Sequence, residues 1–221
     1  FEKSLIPTFI KTMERGIRID ANYAEEAADK LTPLIAEDQK ALDKIAGHEV
    51  NVNSTPQIRA LFEPKEKLIA GTQQWVASDG TTLETTKTGN PSIGADALRI
   101  MNHPAAERIL SVRSLIKTRD TFIRGHVLGH SIGGRVYPTI NQSKGETGGT
   151  GTGRLSIQNP AMQQIPSRNK KVAAIVKPCF LPDEGMVWVD GDMSSFEVRV
   201  FAHLINNPTI NDEYKRAPET D

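Results

Sequence analysis

A single cysteine, Cys179, stands among the 221 residues, so the sequence has neither a disulfide framework nor a cysteine-based zinc site. No apolar run approaches the length that spans a bilayer, and no signal-peptide pattern opens the chain. Net charge is lacking too: 27 basic residues balance 27 acidic ones, which excludes a protein that is a polycation overall. These absences lead us to expect a soluble protein of a reducing compartment, the cytoplasm, with no membrane partner. The first residue is Phe1 rather than Met, so an N-terminal portion is expected to have been removed or left out.

What the chain does have is charge sorted by region. Residues 154–178 carry Arg154, Arg168, Lys170, Lys171 and Lys177 without a single Asp or Glu, whereas most charges in 183–221 are acidic. Such a pairing suits a protein that grips phosphates and also holds divalent cations. Charge alone does not separate this from an ordinary solvated surface.

Helical patterns dominate the first part. Ser4 is expected to cap a short helix to Arg15, with Leu5, Phe9, Ile10 and Met13 on one face and Gly16 as its stop. Ile17-Arg18-Ile19 reads as an extended link. Asp20 caps a longer pattern through Leu31 and Leu42 to Gly47, with a kink or break expected at Pro33. Asn53-Ser54-Thr55-Pro56 starts another helix, leading to Ile58 and Phe62. Residues 63–95 are polar and weakly patterned, with a hairpin tip at Asp79-Gly80. A small helix over about 94–101 precedes a long one from Pro104 to Ile123, on which Arg113 and Lys117 share a face. Short strands and a glycine-rich loop occupy 125–153. The loop lacks the Gly-Lys-Ser/Thr ending of a phosphate-binding P-loop, so it reads as flexible connection.

The stretch from Met186 to Leu204 carries the most chemistry. Met186-Val187-Trp188-Val189 reads as a buried strand that ends in Asp190 and Asp192. Phe196, Val200, Phe201 and Leu204 then recur at helical spacing, with Ser194 or Ser195 as N-cap. A carboxylate at a strand end beside a helix N-terminus is well placed to hold a metal ion and a polyphosphate.

Upstream lie Thr152-Gly153-Arg154-Leu155-Ser156, Asn159-Pro160 and Gln163-Gln164-Ile165-Pro166-Ser167-Arg168. With Asp192-x-Ser194-x-x-Glu197-x-Arg199, these resemble the motifs of the A family of DNA polymerases, bacterial polymerase I and its phage relatives. Gly16 to Asp20, Asn51 to Ser54, Lys87-Thr88-Gly89, Arg113 with Lys117, and Asn141-Gln142 fall in family order, so the likeness covers nearly the whole chain. Met193, Ser195 and Phe196 depart from the bacterial pattern and point to a phage-like member, for which the compartment is the host cytoplasm.

The resemblance implies an α+β right-hand polymerase fold: a mainly helical thumb over 1–124, then an incomplete antiparallel-sheet palm over 125–221. It implies template-directed DNA synthesis by nucleotidyl transfer to a primer 3′-hydroxyl, with primer–template DNA and dNTP as partners and Mg²⁺ as cofactor in a two-metal site. Asp192 resembles the first metal ligand, with the Met193 carbonyl facing the same cation. Glu197 occupies the position that closes off the space of a ribose 2′-hydroxyl. Asp190 is a departure, read as a solvated or hydrogen-bonded acid near the site. Arg199 and His203 read as supports of the helix.

Arg154, Gln163 and Gln164 match donors that check pairing in the minor groove, where every base pair presents acceptors; Gln164 replaces the usual Asn. Arg168, Lys170 and Lys171 would lie along backbone phosphates, as would Arg113 and Lys117 on the thumb helix. Asn141 and Gln142 complete the expected DNA-contacting set.

Two further family blocks are not found in these 221 residues: the fingers helix, and the His-Asp-Glu hairpin that supplies the second carboxylate. None of the five histidines is followed by Asp. The expectation is therefore an incomplete part, inactive alone, whose remainder is a second chain or a lost piece. Two other readings stay open. One is a non-catalytic primer–template binding module. The other is a metal-dependent nuclease on Asp190 and Asp192, for which 125–180 offers only Glu146 as a further acid.

Overall fold

The computed structural model describes residues 2–145, 148–167 and 169–217. Its first helix, α1 (Glu2–Arg15), starts ahead of Ser4, so Ser4 is a helical residue and not the expected cap. Gly16 stops it at φ +61. A Cβ there would lie 2.6 Å from Tyr137 Cδ1 and 2.7 Å from the Val136 carbonyl oxygen, so only glycine makes this turn at this closeness. The link that follows is a strand, β1 (Ile17–Ile19).

Asp20 caps α2 (Ala21–Ala46) as its type and position dictate: the Tyr23 amide donates to Asp20 Oδ1 at 2.9 Å. Gly47, in the left-handed region, closes the helix. Contrary to expectation, α2 runs through Pro33 without a break. Buried residues lie on both sides of the proline, with Ala24, Ala27, Ala28 and Leu31 before it and Leu42 after it. That burial holds the helix across the missing hydrogen bond.

Ser54 precedes α3 (Thr55–Phe62). The weakly patterned region that follows is a three-stranded antiparallel sheet in the order β2 (Lys65–Ile69), β3 (Thr72–Val76), β4 (Thr82–Leu83). Asp79-Gly80 forms the expected tip between β3 and β4, where the Thr81 amide donates to Asp79 Oδ1 at 3.0 Å. A second tip, Ala70-Gly71, joins β2 to β3. After α4 (Ala95–Ile100) comes α5 (Pro104–Ile116), which continues without interruption as a π-wound segment, Lys117–Leu128. The helix is thus longer than its expected end at Ile123, and residue 124 lies within it.

Helix α2 and the α5 run pack antiparallel and divide two cores between them. Leu42 joins Ile109 and Val112, with Ile58, Phe62 and Leu98, in one core. Ala28 and Leu31 join Phe122, Ile123 and Val127, with Val136, Val176 and Cys179, in the other. Between them Asp38 pairs with Arg108 Nη1 at 2.6 Å and accepts from Ser111 Oγ.

The second core backs a four-stranded antiparallel sheet in the order β5 (Ser131–Ile132), β6 (Arg135–Val136), β1, β9 (Phe180–Leu181). A separate pair, β7 (Thr139–Asn141) with β8 (Ser156–Gln158), sets Asn141 opposite Ser156. Helix α6 (Lys170–Val176) lies between β8 and β9 in the chain.

The chain divides into two compact units, Phe1–Leu181 and Pro182–Asp221. The second contains α7 (Phe196–Leu204) and α8 (Pro208–Arg216). The expected buried strand over 186–189 is not formed. Trp188 is 59 % and Val189 88 % exposed, and no strand among the described residues pairs with this segment. An unpaired extended segment has neither a ladder for its backbone groups nor a face to bury, so its apolar composition alone does not make it a strand. Among the described residues no helix is long and apolar enough to cross a membrane.

Candidate nucleic-acid interface

Within the first unit, the residues after β8 are organised by one amide. Gln163 Oε1 accepts from the Ile157 amide at 3.1 Å, and Gln163 Nε2 donates to the Leu155 carbonyl at 3.0 Å. Gln163 therefore clamps the backbone immediately after Arg154, with one N–H left over. Arg154 itself is exposed, follows Gly153 at φ +75, and receives Thr150 Oγ1 on its carbonyl at 2.6 Å. The Arg154 side chain is thus presented by a hydrogen-bonded loop rather than a loose one.

The next residue, Gln164, is exposed and lines a cleft of about 380 Å³ with Lys117 from the helix after α5. Ser114, Thr118, Phe122, Pro166, Ser167, Asn169 and Val172 complete its walls. Lys117 Nζ stands 5.5 Å from the Phe122 ring centroid, which orients the ammonium without neutralising it. The floor is fixed: buried Thr118 donates to the Ser114 carbonyl at 2.7 Å, and the Val172 amide donates to Asn169 Oδ1 at 3.3 Å to start α6. Ser114, Thr118 and Asn169 were not foreseen. Nothing in their spacing relates the α5 run to the α6 start; only the packing does.

Other expected contacts are more dispersed. Arg113, one turn before Lys117, is half-buried and sends Nε to the Val52 carbonyl at 2.7 Å, and burial pushes its guanidinium below its ordinary value. It braces the turn before α3 with that nitrogen. Lys170 and Lys171 are exposed in the first turn of α6. Asn141 Nδ2, on β7, is buried with no hydrogen-bond partner among the described residues, and Gln142 follows it. Arg168 and Glu146 lie outside the described residues.

In the second unit, Asp190, Asp192 and Met193 lie exposed on the irregular segment before α7. Ser195 occupies the N-cap position at φ 49, so the cap was placed correctly, but its side chain does not cap the helix amides. Glu197 is exposed in the first turn. Arg199 does support the helix: Nε donates to the Ser194 carbonyl at 2.6 Å, and the guanidinium lies 4.1 Å from the Tyr214 ring centroid on α8. A carboxylate and a main-chain carbonyl are hard oxygen donors, the chemistry Mg²⁺ prefers. Among the described residues no three His, Cys, Asp or Glu side chains converge in a way that could hold a metal ion.

The sequence matches DNA polymerase family A over residues 21–221. The chain belongs to that family. It is 55 % identical to the DNA polymerase DpoZ of Vibrio phage phiVC8, over all of this chain and 35 % of the relative. It is 49 % identical to the DpoZ of Salmonella phage PMBT28, over all of this chain and 36 % of that one. The thermostable DNA polymerase I of Thermus thermophilus is 31 % identical over 95 % of this chain and 24 % of its own length. The polymerase domain of Pol1 from M. smegmatis, solved with DNA primer–template and dNTP, superposes with a TM-score of 0.71 at 25 % identity, covering 93 % of this chain and 34 % of that one. This family A chain thus spans about a third of the length of the phage relatives it matches.

Proposed function

We propose that this chain is the thumb (1–124) and first part of the palm (125–221) of a DNA polymerase. In this reading it holds primer–template DNA and contributes one carboxylate to template-directed synthesis. The observation that carries the DNA-binding part is the shared cleft of Lys117 and Gln164. It combines a cation free to meet phosphate with an amide suited to a minor-groove acceptor. Arg154 and the remaining N–H of Gln163 would reach base-pair edges at the primer end. Lys170, Lys171, Arg168 and the outer nitrogens of Arg113 would follow the phosphates, and Asn141 with Gln142 would add polar contacts.

The catalytic part rests on the family motif. Asp192 and the Met193 carbonyl would hold Mg²⁺, and Glu197 would exclude a ribose 2′-hydroxyl. When held there, Mg²⁺ would supply the Lewis acidity that makes a primer hydroxyl easier to deprotonate and offsets the charge of a leaving pyrophosphate. The remaining palm and the fingers, with a second carboxylate, would come from another polypeptide segment. The exposed apolar residues Val187, Trp188, Val189, Phe201 and Leu204 are the surface such a segment would cover.

Primer–template binding measured against salt tests this reading. Lys117→Ala should weaken binding severalfold and lower the magnitude of the log–log salt slope by about one, the signature of one lost phosphate contact. An unchanged slope removes the cleft from the interface. The sparse acid set around Asp192 favours one second reading, a binding module without catalysis, in which Asp192→Asn changes nothing under any complementation.

A further inference from the structure

We infer that a second cleft, beside Trp75 and lined by none of the residues of the Lys117–Gln164 cleft, binds an unpaired nucleotide of single-stranded DNA. The cleft, of about 490 Å³, opens between α3 and the β2–β3–β4 sheet, in the size range of small-ligand sites. Its walls are flat and apolar: Pro56 and Ala60 on α3, Pro64 after it, and Pro91 with the Trp75 indole opposite. Its polar groups are few and of distinct kinds: the Arg59 guanidinium, the Glu63 carboxylate and the Asn90 amide.

The site is held ready by hydrogen bonds to one loop. Trp75 Nε1 donates to the Gly89 carbonyl at 3.1 Å, which sets the indole plane. Arg59 Nη1 donates to Asn90 Oδ1 at 3.3 Å. The loop is itself closed, with the Thr86 amide donating to the Asn90 carbonyl at 2.8 Å. Against this order one group stands out: Arg59 Nε is buried with no hydrogen-bond partner among the described residues. A buried donor left without an acceptor is costly.

An aromatic plane with a guanidinium beside it is the combination by which proteins hold unstacked bases, the ring taking the base face and the cation the phosphate or a base acceptor. The Glu63 carboxylate disfavours a bare anion and can accept from an exocyclic base amine. A base that is already paired and stacked cannot enter such a slot, so the ligand is single-stranded. The choice of DNA rests on the family reading above, and the test separates the two.

The chain has two tryptophans, so Trp188→Phe leaves Trp75 as the only indole. In that background an eight-nucleotide oligodeoxycytidylate, whose bases carry the exocyclic amine that Glu63 can accept from, should quench the Trp75 emission. Ala60→Phe, at an exposed wall position, should lower affinity for the oligonucleotide at least about tenfold, the scale of one lost base–aromatic stack. Arg59→Met should lower it severalfold. Both variants should bind a blunt hairpin duplex within twofold of the parent. The inference is overturned if folded protein shows no quenching, if Ala60→Phe binds the oligonucleotide as the parent does, or if only a proline-rich peptide quenches. If quenching persists while the duplex fails to bind, the interface proposed around Lys117 falls and this one stands.

Discussion

Arg199 ties two helices and a turn together: its guanidinium lies 4.1 Å from the Tyr214 ring centroid, and its Nε donates to the Ser194 carbonyl. One side chain thus fixes the entry to α7 and the packing of α8, directly after the segment that carries Asp192. Arg199→Ala removes a charge-assisted hydrogen bond and a cation–π contact, together about 2 kcal/mol. Limited proteolysis should then cut the 190–196 segment several times faster. Arg199→Lys should not restore protection, because an ammonium cannot stack and donate sideways at once. Equal cutting rates in all three proteins would refute the assignment.

Gln163 and Lys117 separate stability from binding. Gln163→Ala loses both bonds of its clamp and should lower stability by about 1–2 kcal/mol in urea unfolding. Exposed Lys117 makes no comparable bond among the described residues, so Lys117→Ala should unfold within about 0.5 kcal/mol of the parent while losing DNA affinity. The reverse pattern would exchange their roles.

Much of this architecture was legible in particular residues. Asp20 and Gly47 announced both ends of α2, and the apolar spacing from Phe196 to Leu204 announced α7, because caps and helical faces are local signals. The β2–β3 hairpin was not legible. All of β2 is exposed, so Lys65 to Ile69 has no alternation to read, and its turn is Ala70-Gly71, both at positive φ, without an Asn-Gly signature. The segment 186–189 failed the other way: a strong local pattern with no pairing strand among the described residues. For the site, Lys117 and Gln164 were each readable by type and motif. That they share a cleft was not, since the packing of α6 against the α5 run brings them together.

Asp79 supplies a pH dependence. Burial pushes its carboxyl up, but hydrogen bonds from the Thr81 amide, the Thr81 hydroxyl and the Asn102 amide outweigh it and hold the group below its ordinary value. The folded protein then binds this proton less readily than the unfolded chain. The stabilisation is complete above the unfolded pKa of about 3.9 and fades as pH falls through the lower folded value. Thermal melts from pH 6 to 2.5 should show a steeper acid loss in the parent than in Asp79→Asn. Parallel curves would show that the cluster does not discriminate the charged form.

Cys179 is fully buried, and burial, followed by the nearby Asp20 charge, pushes its thiol up to about 11. Since the thiolate is the reactive form, alkylation at pH 8 should be negligible in the native protein and rapid in urea. The reaction rate then reports opening of the core formed by Leu31, Phe122, Val127 and Val176. Fast labelling of native protein would place that core's opening at low free energy.

Primer extension by complementation decides whether Asp192 serves DNA synthesis. The 221-residue chain is combined with the downstream portion of the phiVC8 relative, and extension of a labelled primer by dNTPs is followed in Mg²⁺. This chain alone should extend nothing, the pair should extend the primer, and Asp192→Asn in this chain should lower that extension at least about a thousandfold. Extension by the single chain, or by the pair regardless of Asp192, would contradict this expectation.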